Sequence, residues 1–441
     1  MVKSLMSQSS LKPRPRYQRM LAEARDNGLI KVVTGMRRSG KSSLMALGRD
    51  DLLAQGVPAD RIVFLNLESF EFVDYDFRQL YHEVERAVRG KGHCYVFLDE
   101  VQLIGQWQKA VNAMRVDLDI DLVITGSNAH MLSSELSTLL SGRFMEIRVF
   151  PLSYREFLEY AELESSDASF ERFCRFGALP PVVDQGDNPA LARTVLAGIY
   201  NTVVVRDVAS HMEIRNSAVF DDVARYVFDT AGSPVSIAKI EKRLASAHRK
   251  TTAVTIERYI KGMEEAYLLN RIPRVDAHGG RILQGLSKCY PSDTGIGGVL
   301  LGGKPYDFGF VLENVVCNEL LAAGYHVRVG RTDRLEIDFV AWRDDVSGES
   351  DVAGDGLSSA QADSRSGSGY GVLGARPIMI QVTASILDAS TRKRELEPLR
   401  AVRDVSARRM VITLNHMGLE TVDGIEIVNA LDWLNSLPSG R

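Results

Sequence analysis

Val32-Val33-Thr34-Gly35-Met36-Arg37-Arg38-Ser39-Gly40-Lys41-Ser42-Ser43 is the stretch that decides the fold. It matches the phosphate-binding loop pattern G-x-x-x-x-G-K-[ST] at every fixed position. Apolar residues before it predict a buried strand, and the residues after it predict a helix start. Such a turn directs backbone N–H groups inward, where they bind phosphates. We predict that ATP is bound by Gly35, Met36, Arg37, Arg38, Ser39, Gly40, Lys41, Ser42 and Ser43, with Lys41 on the β- and γ-phosphates and Ser42 on Mg²⁺.

A second apolar run, residues 93–98, ends in Asp99 and Glu100. This pattern is typical of a buried parallel strand, whose carboxyl end is where open α/β sheets bind ligands. We predict that Asp99 holds Mg²⁺ through water and that Glu100 orients and activates the attacking water. Two adjacent acids favour hydrolysis over nucleotide storage. The alternative is an ordinary strand followed by a surface acidic pair.

A third strand is predicted at residues 121–125, and it leads into Ser127 and Asn128. Either side chain could hydrogen-bond the γ-phosphate or the attacking water, or Asn128 could instead cap the following helix. Arg143 precedes another predicted strand. It is our candidate for the arginine that stabilises transition-state charge in a neighbouring subunit, and a surface salt bridge is the alternative.

Composition limits the number of domains and the class of protein. The chain has 441 residues, which predicts two to four domains, with 45% hydrophobic and 25% charged residues. The net charge of −4 argues against a globally basic nucleic-acid coat but leaves room for local basic faces. No apolar run approaches the roughly 20 residues of a membrane span. The four cysteines are scattered singly, as in a reducing compartment, so a cytoplasmic protein is expected.

Alternating strands and helices predict a parallel α/β nucleotide-binding domain over residues 1–150, with strands near 30–34, 61–67, 94–98, 121–125 and 144–150. Residues 151–215 predict a helical lid. Three helices, short turns and a Gly279-Gly280 turn over residues 216–283 predict a winged helix-turn-helix.

The third helix of that unit, from about Thr252 to Ala266, has two faces. Ile256, Tyr259, Ile260, Met263 and Tyr267 form the predicted buried stripe. The opposite face and the preceding turn predict a DNA-binding surface of Thr255, Arg258, Lys261, Arg249 and Lys250. The alternative is a structural connector with a solvated polar face.

Residues 284–441 predict a further α/β domain with an amphipathic helix at 310–321 and strands at 325–329, 335–340 and 377–383. Residues 344–371 are rich in Gly, Ser and Asp and contain almost no large apolar groups. They cannot bury enough surface to fold, so they predict a disordered insertion.

These motifs resemble prokaryotic AAA-type ATPases, and those with a C-terminal domain of unknown function 4143 match best. The segments that carry the resemblance are the phosphate loop, Leu98-Asp99-Glu100-Val101-Gln102, Thr125-Gly126-Ser127, Ser141-Gly142-Arg143, Pro151-Leu152-Ser153, Glu313-Asn314 and Glu336-Ile337-Asp338-Phe339. The resemblance implies an ATPase core, a helical lid, a winged helix and a C-terminal domain similar to the PD-(D/E)XK nucleases.

Nucleases of that fold pair strand carboxylates with a lysine that assists the attacking water. Here Asp338 and Gln381 fall in place and Glu313 could contribute from a helix, but Thr383 stands at the lysine position. Threonine cannot carry the positive charge, and Lys393 could replace it only through a detail of the fold. A relic that binds without cleaving is therefore the expectation.

Together these features predict an ATP-hydrolysing, Mg²⁺-dependent protein that forms a ring-shaped homo-oligomer and acts on DNA, with branched or forked forms among the candidates. A slow ATP-dependent switch that binds a protein partner or regulates transcription is the second hypothesis, and an active nuclease is the third. DNA stimulation of turnover separates the first two.

Overall fold

A computed structural model describes residues 11–129, 142–209, 212, 214, 216–277, 283, 287–302, 308–332, 335–343, 377–402, 407–416 and 418–437. The insertion predicted at 344–371 lies outside these residues.

A five-stranded parallel sheet forms the N-terminal part of the molecule. Its elements are α1 Pro15–Glu23, β1 Ile30–Thr34, α2 Lys41–Ala54, β2 Ile62–Asn66, α3 Phe77–Val88, β3 Cys94–Asp99, α4 Trp107–Asp117, β4 Ile120–Gly126 and β5 Phe144–Arg148. The strand order is β2-β3-β4-β1-β5. Apolar clusters lie on both faces of the sheet, which explains the continuous apolar runs of its strands. The predicted α/β class is confirmed.

The strand register places the predicted site residues at one edge of this sheet. Thr34 lies beside Gly126, and Leu98 lies beside Ile124. Because all these strands are parallel, the segments that follow β1, β3 and β4 emerge together.

The predicted lid region is helical, with α5 Tyr154–Ala161, α6 Asp167–Phe176, α7 Pro180–Val183 and α8 Pro189–Thr202. Ser153 and Glu156 form a reciprocal capping box at the start of α5. A π-helix, Val203–Val208, continues α8. Such turns are rare and recur at functional sites.

Three helices and a short sheet follow, with α9 Ser217–Asp229, α10 Ile237–Ser246, α11 Ala253–Glu265, β6 Leu269–Ile272, β7 Arg274–Asp276 and β8 Lys288–Pro291. The buried stripe predicted on α11 is confirmed, since all five of its side chains are buried. Strand β8, beyond the predicted boundary at 283, pairs with β6, whereas β7 joins the C-terminal sheet. The winged-helix assignment stays a prediction.

The C-terminal part holds α12 Thr294–Leu300, α13 Phe308–Ala322, β9 His326–Arg331, β10 Glu336–Trp342, β11 Ile378–Thr383, α14 Ala389–Arg400, β12 Arg408–Thr413, β13 Glu420–Val422, β14 Ile425–Asn429 and α15 Ala430–Ser436. With β7 these strands form a seven-stranded sheet of order β13-β14-β12-β11-β10-β9-β7. Strands β9, β10 and β11 are antiparallel neighbours, and β11, β12 and β14 are parallel. Apolar clusters again cover both faces.

Candidate functional site

The loop after β1 has the backbone that phosphate binding requires. Gly35 and Gly40 have φ of +136° and +101°, which side-chain-bearing residues rarely adopt. A Cβ on Gly35 would lie 2.1 Å from the carbonyl oxygen of Val149. Ser39 Oγ is buried and has no hydrogen-bond partner within the described residues. The loop therefore leaves a space that a side chain would fill, and Ser39 Oγ is an unpaired donor beside it. Both features fit the binding of a phosphate group.

Lys41 begins α2 and is buried beneath this loop. Its Nζ donates to the carbonyl oxygens of Gly35 and Met36 at 3.0 and 3.1 Å. Burial lowers the pKa of Lys41, and the carboxylates of Glu100, Asp207 and Asp99 oppose that shift. The ammonium therefore lies in a pocket with three acids around it.

A hydroxyl and a carboxylate meet where a magnesium ion would be bound. Asp99 is buried at the end of β3, and its Oδ1 accepts a hydrogen bond from Thr125 Oγ1 at 2.5 Å. Burial raises the pKa of Asp99, and hydrogen bonds from Thr125 and Ser42 oppose the shift. Hard oxygen ligands of this kind suit Mg²⁺, which takes its remaining ligands from phosphate and water. Ser42 and Asp99 would hold the ion.

Glu100 occupies a constrained position. Its φ is +56°, in the left-handed region, and its N–H donates to Thr125 Oγ1 at 2.8 Å. Gln102 Nε2 donates to its carboxylate. A non-glycine residue held at positive φ is a common feature of active sites, because the surroundings fix the side chain in one direction. The predicted role of Glu100 agrees with this geometry and stays a prediction.

The polar residues after β4 contact the π-helix. Ser127 Oγ donates to Asp207 Oδ1, and Asn128 Nδ2 donates to the Asp207 carbonyl oxygen, both at 3.0 Å. The helix that Asn128 was alternatively predicted to cap lies outside the described residues. Both side chains therefore connect the carboxyl end of β4 with the π-helix.

Asp207 was missed by the sequence analysis. Its buried carboxylate also contacts Arg37 Nε of the phosphate loop at 3.3 Å, while Arg37 and Arg206 both reach Glu68. Burial raises the pKa of Asp207, and Arg37 opposes the shift. Burial lowers the pKa of Arg37, but Asp207 and Glu100 outweigh it and raise that pKa overall. The available signal was one acid inside the apolar run 203–208.

Arg14 supports the loop from its other side and was also missed. Its guanidinium donates to the carbonyl oxygens of Ser39 and Phe150 at 3.0 and 2.9 Å. It also forms a bidentate pair with Glu156 at 3.0 and 2.6 Å. This side chain therefore joins the phosphate loop to the first lid helix.

Arg143 lies away from the phosphate loop of its own chain. It is exposed at the start of β5, where Phe144 pairs with Ile30 at the start of β1. The loop follows Thr34, about 13 Å further along the strand at about 3.3 Å per residue. Arg143 is therefore too far away to act on the nucleotide site of its own chain, and a role at the site of a neighbouring subunit stays a prediction.

The predicted DNA-binding residues lie on helix α11 and in the turn that precedes it. Arg258, Lys261 and Lys250 are exposed, and Thr255 and Arg249 are partly exposed. Two of the cations are already paired: Arg249 with Asp222 at 2.5 Å and Lys261 with Glu265 at 3.6 Å. Arg258 stacks on Tyr259. These pairings reduce the positive charge that the face offers to phosphates.

The nuclease-like residues Glu313 and Asp338 do come together, but around a lysine that the sequence analysis did not consider. Lys288, from β8, lies 3.0 Å from Glu313, 2.9 Å from Glu336 and 3.6 Å from Asp338. Tyr290 donates to Glu313 at 2.6 Å. Burial lowers the pKa of Lys288, and Glu313, Asp338 and Glu336 raise it well beyond that, so its charge is retained. The ammonium is therefore the cation that these carboxylates surround.

The other two relic positions lie apart from this cluster. Gln381 donates to Glu395 of α14 at 3.0 Å, and Thr383 donates to the Ser385 carbonyl oxygen. Lys393 is exposed on α14. Within the described ranges, no three or more His, Cys, Asp or Glu side chains are arranged to hold a metal ion.

Comparisons with known proteins agree with the N-terminal site. Residues 27–158 match the family model described as AAA domain, and residues 167–307 match a domain of unknown function, DUF8612. An uncharacterized protein of Haemophilus influenzae is 34% identical over 96% of this chain and 98% of its own length. The uncharacterized protein MJ1544 of Methanocaldococcus jannaschii is 24% identical over 92% and 88%.

The phosphate loop and the parallel sheet define a P-loop nucleotide-binding domain. Residues 27–158 form an AAA domain, and the chain belongs to the same family as the uncharacterized Haemophilus protein, which it matches over 96% of its length. The presence of the domain of unknown function 4143 stays a prediction.

Among solved structures, the Walker-type ATPase PABY2304 of Pyrococcus abyssi has a TM-score of 0.45 at 14% identity, covering 65% of this chain and 95% of that one. The Aeropyrum pernix ORC1 protein, solved in complex with DNA, has a TM-score of 0.34 at 13% identity, with 65% and 91% covered. Both TM-scores are below 0.5, so we draw nothing about function from them. No helix in the described part of the chain is long and apolar enough to cross a membrane.

Proposed function

We propose that this protein hydrolyses ATP with Mg²⁺ and, as a homo-oligomer, couples hydrolysis to work on DNA. The observation that carries the ATPase proposal is the meeting of Lys41, Asp99 and Glu100 at the carboxyl edge of one parallel sheet, beneath a glycine loop. Lys41 binds the β- and γ-phosphates, Ser42 and Asp99 hold the metal ion, and Glu100 orients water for attack on the γ-phosphate.

An arginine from a neighbouring subunit completes this site. Arg143 is exposed and lies away from its own loop, so the only nucleotide site it could serve is that of a neighbouring subunit. An arginine supplied in this way stabilises transition-state charge and makes turnover depend on assembly. A closed ring is the arrangement in which every subunit receives one.

The DNA proposal rests on the exposed face of α11 and its preceding turn. Arg258 and Lys250 offer cations there, and the buried stripe fixes the orientation of the helix. The paired charges of Arg249 and Lys261 weaken the proposal. They favour the second candidate, a slow switch whose winged-helix segment binds a protein partner.

A nuclease activity is disfavoured by Lys288. Its ammonium is bonded by the carboxylates that would hold Mg²⁺, and Thr383 supplies no base. We therefore propose that the C-terminal domain binds without cleaving.

Steady-state ATP hydrolysis tests these proposals together. It is measured at one fixed low salt concentration with duplex, single-stranded or forked DNA, and without DNA, with Glu100→Gln as the blank. Stimulation of several-fold by one form of DNA, lost in Arg258→Glu, supports a DNA-coupled ATPase. Slow turnover that no DNA form changes favours the partner-binding switch, and turnover equal to the blank contradicts the ATPase proposal.

A further inference from the structure

Asp207 brings a negative charge from the lid into the nucleotide site. Its side chain is only 5% exposed. The carboxylate is bonded by Arg37 of the phosphate loop and by Ser127 after β4, and it acts on the charge of Lys41. These three partners come from the two segments that surround the place of the terminal phosphate.

A carboxylate and a terminal phosphate are chemically alternative partners for these groups. Both are anions that accept hydrogen bonds from guanidinium, ammonium and hydroxyl donors. Placed side by side in a buried site they repel each other, because two like charges a few ångströms apart interact strongly where water is excluded. A γ-phosphate therefore weakens the hold of Arg37 and Ser127 on Asp207, whereas ADP lacks the group that competes most directly.

The segment that bears Asp207 is packed tightly against the helix proposed to bind DNA. Val208 and Met212 follow Asp207, and a Cβ on Gly262 of α11 would lie 3.2 Å from Val208 Cγ1 and 2.0 Å from Met212 Cε. The absence of a side chain at Gly262 thus brings α11 into close contact with the segment that follows Asp207. A shift of the π-helix would therefore change its packing against α11.

A second contact joins the same parts. Met36 of the phosphate loop is 2% exposed and belongs to the apolar cluster that contains Val203, Val208 and the buried stripe of α11. The loop is thus tied to the winged-helix segment by apolar packing at Met36 and by the ion pair at Arg37. Packed interfaces of this kind switch between discrete arrangements rather than deform gradually.

We propose that Asp207 is a positioning residue that reports the terminal phosphate of ATP to helix α11. With ADP its carboxylate stays bonded to Arg37 and Ser127 and holds the π-helix against the site. With ATP the γ-phosphate takes over these donors, the π-helix is released, and α11 moves with it. The inference rests on the proposed nucleotide site. It adds that the nucleotide bound there controls the position of α11.

Asp207→Asn tests the competition because it keeps the shape of the side chain and removes its charge. We expect affinity for a non-hydrolysable ATP analogue to rise by about tenfold, equivalent to about 1.4 kcal/mol, and affinity for ADP to change less than about threefold. A purely structural role would shift both affinities alike. Glu68→Gln is the matched control. It removes the other carboxylate that pairs with Arg37, which lies on the exposed side of the guanidinium, and it should leave the ratio of ATP to ADP affinity unchanged.

Hydrogen exchange of the full-length protein tests the release without any variant. The ATP analogue should accelerate amide exchange over residues 203–208 relative to ADP, and Asp207→Asn should remove this difference. Equal exchange in both nucleotides, or an unchanged ATP-to-ADP affinity ratio in Asp207→Asn, would overturn the inference.

The two proposals fail in different ways. If neither the wild-type protein nor Lys41→Ala binds nucleotide, the proposed site is wrong. If the wild-type protein binds ATP and Lys41→Ala does not, the proposed nucleotide site is supported. The ratio of ATP to ADP affinity and the exchange rates then test only the role of Asp207.

Discussion

Replacing Lys288 with methionine removes the cation at the centre of the C-terminal acidic cluster and keeps most of the side-chain volume. Three carboxylates lie within 3.6 Å of its Nζ. Glu336 keeps a second partner, because Arg274 lies 2.6 Å from it. Glu313 and Asp338 are left buried without a cation, and the pKa of each carboxyl, which burial already raises, rises further when Lys288 no longer opposes that shift.

The size of the effect follows from these contacts. Removing one partner of a buried ion pair costs about 3–5 kcal/mol, because the remaining charge stays out of water. Glu313 keeps its hydrogen bond from Tyr290, and Asp338 keeps one from the Val382 N–H at 2.9 Å. We therefore expect the low end, about 3 kcal/mol. Lys288→Met/Glu313→Leu should recover part of this loss, because it removes a buried charge as well.

Urea unfolding at pH 7.5 measures these differences by tryptophan fluorescence, to which Trp342 and Trp433 contribute from the C-terminal part and Trp107 from the N-terminal part. Lys393→Met is the control, since it makes the same chemical change on an exposed surface. A titration with Mg²⁺ provides a second measurement, in which Lys288→Met should regain stability and the wild-type protein should not respond. A loss under about 1 kcal/mol, or an equal loss in the single and double variants, would refute the reasoning.

Lys41→Ala should abolish binding of a fluorescent ATP analogue at equilibrium, and retained affinity would remove the phosphate-loop assignment. Glu100→Gln should bind ATP normally while phosphate release slows by about 10²–10⁴-fold, as expected for loss of a general base; normal turnover would exclude that role. Arg143→Ala should bind ATP but not hydrolyse it, and mixing it with Glu100→Gln subunits should restore turnover where an intact arginine meets an intact site; no recovery on mixing contradicts an arginine shared between subunits. Burial raises the pKa of Glu319 to about 8. Between its ordinary value near 4.5 and about 8, the native state therefore keeps a proton that the unfolded state loses, and stability falls by about 1.4 kcal/mol per pH unit as the pH rises. Glu319→Gln should flatten that slope in urea unfolding from pH 5 to 8, and an unchanged slope would assign it to other groups.

The N-terminal sheet was predictable because its signals are local. The bounds of β1, residues 30–34, and of β3, residues 94–99, agree with the predicted strands to within one residue. This is because a buried parallel strand must be an unbroken apolar run. The buried stripe of α11 was predictable for the same reason, because helical periodicity alone places Ile256 and Tyr259 on one face.

The contacts that surround the site were not predictable in this way. Arg37 and Asp207 lie 170 residues apart, and Arg14 and Glu156 lie 142 apart. A charged residue within an apolar run is expected to be buried with a partner, but the sequence does not indicate which residue that partner is. The same holds for Lys288, which lies on β8 and is surrounded by carboxylates from α13 and β10.

The sequence by itself determined the phosphate loop, the order of strands and helices around it, and the acids at the end of β3. Backbone geometry and apolar periodicity depend on a few neighbouring residues, so they can be predicted directly from the local sequence. Tertiary structure alone decided that Asp207 of the π-helix contacts Arg37 of the phosphate loop and that Lys288 lies within the C-terminal acidic cluster. Buried charges are stable only with a partner, and the folding of distant segments determines which partner each one meets.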